Sequence, residues 1–336
     1  MATIHDVAAL AGVSASTVSR ALSGNVKVNA ETKKRVLEAV AQLNYQPSPL
    51  AKGLKEGSTR TIAVIVPNLR NLLFPAAISG ITEVASAYGY TIVLCSTDED
   101  IEKEKADVAN LVRRKIDGFV FFTATQRSGH IMELASKGHP VVLLVRNLPQ
   151  EPIDSVSVDN ELGAYKGTKF LLERGYRSIA LICGDRELVL YQDRFRGYQR
   201  ALAEVGLAVD FGLVRWNVKG WKQGFAAMTA LLKENRSAWP DAVFATSDPK
   251  ALGIMKAIKQ AGLSIPRDIA VMGYDNMELS ELTDPALTTV AQPFHQTGVQ
   301  GTERLLRLIQ CKGSLKPEQV KLEPTILIRQ SVGHKE

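Results

Sequence analysis

Within six consecutive positions, Ala15, Ser16, Thr17, Val18, Ser19 and Arg20 bring together small side chains, three hydroxyls and one guanidinium. Hydroxyls and a forked cation can hydrogen-bond to base edges, and a face without bulk lets a helix lie close in a DNA major groove. The same face also suits the solvated side of an ordinary small helical bundle. Either use requires a helix. Val18, Ala21 and Leu22 give that helix its apolar side, and Ser14 is its expected N-cap. Ahead of it, Ile4, Val7, Ala8 and Ala11 recur at helical spacing, and Gly12 can take the left-handed backbone that ends a helix. A third helix is expected to start at Asn29, with Val36, Leu37, Val40, Ala41 and Leu43 facing inward and Lys33, Lys34 and Arg35 outward.

Charge points the same way. The 336-residue chain carries a net charge of +6, and residues 1–60 hold eight Lys/Arg against four Asp/Glu, so most of the excess lies there. Such a footprint suits a polyanion, and equally a solvated basic face. Hydrophobic content of 45% and charged content of 23% are ordinary for a globular protein. No apolar run of about 18 residues occurs, so no membrane span is expected. The chain opens on an amphipathic helix rather than a basic-then-apolar leader, which predicts a cytoplasmic protein. Cys95 and Cys183 lie in apolar strand-like runs and are expected to be buried thiols, with Cys311 the third cysteine. Scattered histidines and the absence of Cys-x-x-Cys give no metal site. No glycine-rich phosphate loop follows the first apolar strand and no Gly-x-Ser-x-Gly elbow occurs. Neither a cofactor nor an enzyme is expected.

From Thr61 the pattern changes. Thr61–Pro67 is a continuous apolar run, as in a parallel sheet covered on both faces. Strands are then expected at about 91–95, 118–122, 140–145, 153–158, 178–183, 213–216, 241–245 and 269–273. Helices alternate with them at about 74–88, 102–115, 129–137, 161–174, 193–205, 221–234, 249–261 and 294–311. Alternation of this period predicts βαβ units, and the strands are too many for one ordinary sheet, so two doubly wound lobes are expected. Open sheets of this kind bind ligands beyond the carboxyl ends of their strands. The candidates there are Leu73 and Phe74, Val145 and Arg146, Leu188, Leu190 and Arg194, Trp221, Ser247 and Asp248, and Asp275. Asp248 could equally cap the helix that follows it, and Phe74 could equally be core.

The run Thr3-Ile-x-Asp-Val-Ala-x-x-Ala-Gly-Val-Ser-x-x-Thr-Val-Ser-Arg20 resembles the headpiece of the lactose/galactose repressor family. The α/β part resembles the periplasmic sugar-binding-protein fold that serves as the regulatory core of the same family, so the resemblance spans the chain. It implies an all-α helix-turn-helix headpiece over 1–46, a hinge over 47–60 and an effector-binding core over 61–336. The core's two parallel-sheet lobes would comprise about 61–160 with 292–323, and about 161–290 with 324–336. The chain would cross between them near 159–162, 290–293 and 322–325.

The resemblance also implies partners and roles. A homodimer, possible as a dimer of dimers, would bind a pseudo-palindromic operator. Ser16 and Arg20 would touch base edges, Ala15 would permit close approach, and Thr3, Thr17 and Asn29 would hold phosphates. Leu54 would wedge into the minor groove from a short helix formed only on DNA, with Lys55 along the groove. Lys52 stands where the family more often has arginine. Arg194, in Asp-Arg-Phe-Arg-Gly-Tyr, would clamp effector oxygens, and Asp275, in Gly-Tyr-Asp-Asn, would accept from effector hydroxyl or amine groups. A small-molecule effector, a sugar or sugar derivative, would switch the protein as inducer or corepressor. Departures at Val145, Leu73, Leu188 and Leu190 make the cleft more apolar than a hexose site and keep an acidic or less polar effector open. A phosphoprotein corepressor, with Arg304 at a matching arginine, is an alternative, as is a solute-binding module that never meets DNA.

Overall fold

The computed structural model describes residues 2–23, 28–46, 58–69, 73–234, 239–311 and 315–335. It divides into two compact units, Met1–Arg60 and Thr61–Glu336. Of the expected hinge, 47–60, residues 47–57, with Leu54 and Lys55, lie outside the described residues.

In the first unit, α1 (Ile4–Ala11), α2 (Ala15–Ser23) and α3 (Ala30–Gln42) pack around Val7, Ala8, Ala11, Val18, Ala21, Val36 and Ala39. These side chains are small, so the helices approach closely around a slight core. Gly12 ends α1 at φ +64°, and its N–H donates to the carbonyls of Ala8 and Ala9. A β-carbon would be strained there. Leu37, expected inward, is 47% exposed, because Val36 and Ala39 occupy the inward stripe of α3 instead.

The second unit contains two six-stranded sheets. The first has the order β11-β5-β4-β3-β1-β2: Gln319–Leu322, Asp154–Val158, Val141–Leu144, Gly118–Phe121, Thr61–Val66 and Thr91–Ser96. All its pairs are parallel. Ile62, Val64 and Val66 face α4 (Phe74–Ala87) and α11 (Phe294–Gln310), while Ala63 and Ile65 face α5 (Ile101–Arg113) and α6 (Gly129–Ser136). Both faces of β1 are thus buried, which is why that strand reads as unbroken hydrophobicity.

The second sheet has the order β12-β10-β9-β8-β6-β7: Thr325–Leu327, Thr288–Ala291, Ala270–Asp275, Ala242–Ala245, Ile179–Ile182 and Val214–Arg215. Only β12 runs antiparallel. Helices α7 (Asn160–Glu173) and α8 (Val189–Glu204) cover one face, and α9 (Gly220–Glu234) and α10 (Asp248–Gln260) the other. The chain passes from one sheet to the other after β5, after β10 and after β11. Helix α8 begins four residues ahead of its expected start, at Val189, because Leu188 precedes it without any side-chain cap to mark the boundary. No described helix is long and apolar enough to cross a membrane. All three cysteines are free: Cys183 is buried, Cys95 half-buried and Cys311 exposed.

Candidate functional site

In the headpiece, the hydroxyls expected to face DNA first serve the helix ends. Thr3 and Asp6 close a capping box: the Thr3 N–H donates to Asp6 Oδ2 at 2.7 Å, and the Asp6 N–H donates to Thr3 Oγ1 at 3.3 Å. The Thr3 backbone and hydroxyl hold the Asp6 carboxyl below its ordinary pKa. Ser14 accepts from the Thr17 N–H at 3.2 Å, and its hydroxyl shares hydrogen bonds with those of Ser16 (2.8 Å) and Thr17 (2.9 Å). Asn29 Oδ1 accepts from the Glu31 N–H at 3.0 Å and so caps α3. Ser16 and Arg20 are exposed, Ala15 and Thr17 half-buried, and Lys33, Lys34 and Arg35 exposed along α3.

In the second unit a cleft of about 880 Å³ opens between the carboxyl ends of the two sheets' strands. That is ample for a metabolite, since small-molecule pockets run about 300–1,000 Å³. Leu73, Phe74, Arg146, Leu188, Leu190, Arg194, Trp221 and Asp275 all line it. Phe74 is at once core and wall: it is 7% exposed and packs edge-to-face on Phe122, centroids 5.2 Å apart. Trp221 is 47% exposed.

Arg146 is engaged by its own lobe. It forks onto Glu99 at 2.6 and 3.1 Å and donates to the Thr123 carbonyl at 3.3 Å. The preceding residue explains its direction. Val145 adopts φ +68°, and the Arg146 N–H donates back to the Leu144 carbonyl at 2.7 Å. A β-branched residue in that region is strained, and this tight turn redirects the chain at the strand's end.

Arg194, 3% exposed, is fixed on three sides. Its Nε donates to Asn160 Oδ1 at 2.8 Å, its Nη1 donates to the Thr246 carbonyl, and its guanidinium lies over the Tyr274 ring at 3.6 Å. Asp275 Oδ1 stands 3.7 Å from Nη1 and accepts from the Gln292 amide, while Asp275 Oδ2 is buried without a partner. Burial pushes the Asp275 carboxyl up to about 7, against the lowering pull of Arg194. Its backbone, at φ +117°, is also unusual for a non-glycine residue.

Asp248 departs from both of its expected roles. It does not line the cleft, and Ser247 rather than Asp248 holds the cap position of α10. Fully buried, it accepts from the Met277 N–H (2.8 Å), the Ser280 hydroxyl (2.7 Å) and the Thr289 hydroxyl (2.7 Å). Burial raises its pKa while these three donors pull it down. It is a strut tying α10 to the segment after β9 and to β10. Gly273 makes room for it, since a β-carbon there would lie 2.2 Å from Asp248 Oδ1.

Several cleft residues went unread in the sequence. Lys250, Tyr191, Thr123 and Gln292 all line the space. Lys250 shares the buried stripe of α10 with Ile254 and Ile258, and a charged residue at an apolar-periodic position was the available signal. Arg304, in contrast, is turned inward: it donates to Asp154 at 2.6 Å and to the Lys316 carbonyl, and lies 3.4 Å from Glu318. Among the described residues no cluster of His, Cys, Asp and Glu could hold a metal ion.

Two family models match the chain: bacterial regulatory proteins of the lacI family over residues 3–48, and a periplasmic binding protein-like domain over 168–332. The catabolite control protein A of Priestia megaterium is 34% identical over 98% of this chain and 98% of its own. The HTH-type transcriptional repressor PurR of Vibrio campbellii (strain ATCC BAA-1116) is 37% identical over 99% of both. The lac repressor dimer bound to operator and the anti-inducer ONPF is a structural neighbour, with TM-score 0.88, 29% identity and 98% of each chain covered. A lacI-type headpiece, two binding-protein-like lobes and relatives matched over nearly their whole length, a transcriptional repressor among them, lead to one assignment: the chain belongs to the lacI family of bacterial regulatory proteins.

Proposed function

We propose that this protein is a cytoplasmic repressor that binds a pseudo-palindromic operator as a homodimer and is switched by a small-molecule effector held between its lobes. The observation that carries the reading is the cleft, where Arg194 and Asp275 stand as a nearly enclosed polar pair with an unpartnered carboxylate oxygen. A buried oxygen without a donor is costly, and a ligand hydroxyl would relieve it. A sugar or sugar derivative answers that need. In the headpiece, Ser16 and Arg20 contact base edges across Ala15, and Thr3, Thr17, Asn29 and the basic face of α3 hold phosphates. Thr3 and Asn29 do so from helix ends already fixed by their caps. Leu54 and Lys55 meet the minor groove, and effector binding alters whether their segment becomes helical.

Selection from random duplexes followed by gel retardation at two salt concentrations tests this. A half-site repeat should emerge, and affinity should fall steeply with salt. Arg20→Ala should cost about 1–3 kcal/mol and relax one base position, and Leu54→Ala should weaken binding to the selected site. No retardation of any duplex would leave a solute-binding module as the better account.

A further inference from the structure

One wall of the cleft contains a cation that the effector reading does not use. Lys250 is 1% exposed. Its Nζ lies 2.9 Å from the Ser247 hydroxyl, 3.4 Å from the Tyr191 hydroxyl and 4.6 Å from the centre of the Tyr191 ring. Among the described residues it forms no ion pair; the neighbouring ion pair joins Arg194 to Asp275 instead. An ammonium taken out of water is strongly disfavoured unless a counter-charge meets it, and two hydroxyls supply acceptors but no charge. Arg194, with Nε and Nη1 committed to Asn160 and Thr246, keeps Nη2 as a donor group. Both cations act on the same carboxylate, Asp275. The second acid nearby, Asp248, is turned out of the cleft onto Met277, Ser280 and Thr289, so the cleft lining at this corner sets two buried cations against Asp275 alone. The opposite lobe shows no such excess, because Arg146 is paired with Glu99 and Glu104 with His130.

We propose that the effector carries an anionic group, a carboxylate or a phosphate, which binds between Lys250 and Arg194 while its hydroxyls reach Asp275 Oδ2. The proposal rests on the cleft being the effector site and names the class of molecule that enters it. Lys250 then selects between charged and neutral members of one sugar series, and Tyr191 holds the ammonium in place.

The test uses the full-length protein at constant ionic strength, read by thermal shift and calorimetric titration. Gluconate, galacturonate and acetate form the carboxylate arm. Glucose 6-phosphate and inorganic phosphate form the phosphate arm, and glucose and galactose are the neutral controls. Lys250→Met conserves volume in an apolar setting and should fold; Lys250→Arg keeps the charge. One anionic arm should raise Tm by several degrees while the neutral sugars do not, and the responding arm identifies the anion. Lys250→Met should weaken that binding about tenfold or more, with partial recovery in Lys250→Arg. No shift from any anion at millimolar concentration overturns the proposal. So does neutral-sugar binding that survives Lys250→Met but is lost in Arg194→Met, an outcome that leaves the cleft reading intact. Binding untouched by either substitution would sink both.

Discussion

The Asp275 carboxyl is almost fully enclosed, and burial holds its pKa at about 7 although Arg194 lies 3.7 Å away. Between its ordinary 3.8 and about 7, the folded protein retains a proton that the unfolded chain releases. Stability must therefore fall as pH rises through this window and level off above it. Asp275→Asn keeps an oxygen for Gln292 and removes the titration. The difference in Tm, variant minus wild type, should climb from pH 4 to pH 7 and stay flat beyond; a difference independent of pH would refute this. Lys250, Arg194 and Asp248 act on the same carboxyl, so the comparison belongs on single variants with those groups intact. Arg194 and Asp275 were legible because short motifs surround them. Lys250 was passed over because a lone lysine in a helix's first turn reads as solvated, although its spacing to Ile254 and Ile258 placed it on the buried side.

At the scale of elements, the parallel strands up to β9 were all expected, the edge strands β2 and β7 among them, and the three strands beyond β9 were missed. β1, β3 and β8 are almost wholly apolar, and β9 is apolar up to Asp275 at its cleft end, because helices cover both their faces. β10, β11 and β12 escaped notice because Thr-Thr-Val-Ala, Gln-Val-Lys-Leu and Thr-Ile-Leu are short and carry polar residues. Two of these lie at sheet edges, where one flank needs no apolar cover. The Asp248 strut was hidden for a related reason, since its donors come from Met277, Ser280 and Thr289, distant in sequence. Gly273→Ala tests that strut. The added methyl would also meet Leu287 Cδ2 at 2.8 Å, and overpacking of this kind costs about 1–3 kcal/mol. Chemical denaturation of the second unit should show a loss of that size, and an unchanged midpoint would mean that the Asp248 network yields.

For the molecule as a whole, the proposed switch is a statement about coupling, and coupling is reciprocal. Whatever factor the effector imposes on operator affinity, operator must impose on effector affinity. Fluorescence titration of effector with and without saturating duplex, beside gel retardation with and without effector, should return the same ratio. Unequal ratios would mean that the two measurements do not share one equilibrium. The overall plan of headpiece and paired lobes was legible from composition shifts and alternation, whereas the balance of charge inside the cleft emerged only once side chains from α8, α10 and β9 were seen together.

The adjacency of β11 and β12 carries a consequence for synthesis. Only residues 323 and 324 separate β11, at the margin of one sheet, from β12, at the margin of the other. A nascent chain still short of this stretch has neither layer finished. Completion of both halves thus waits on one short stretch of synthesis, and a copy terminated before it would present two open margins to proteases and to its neighbours.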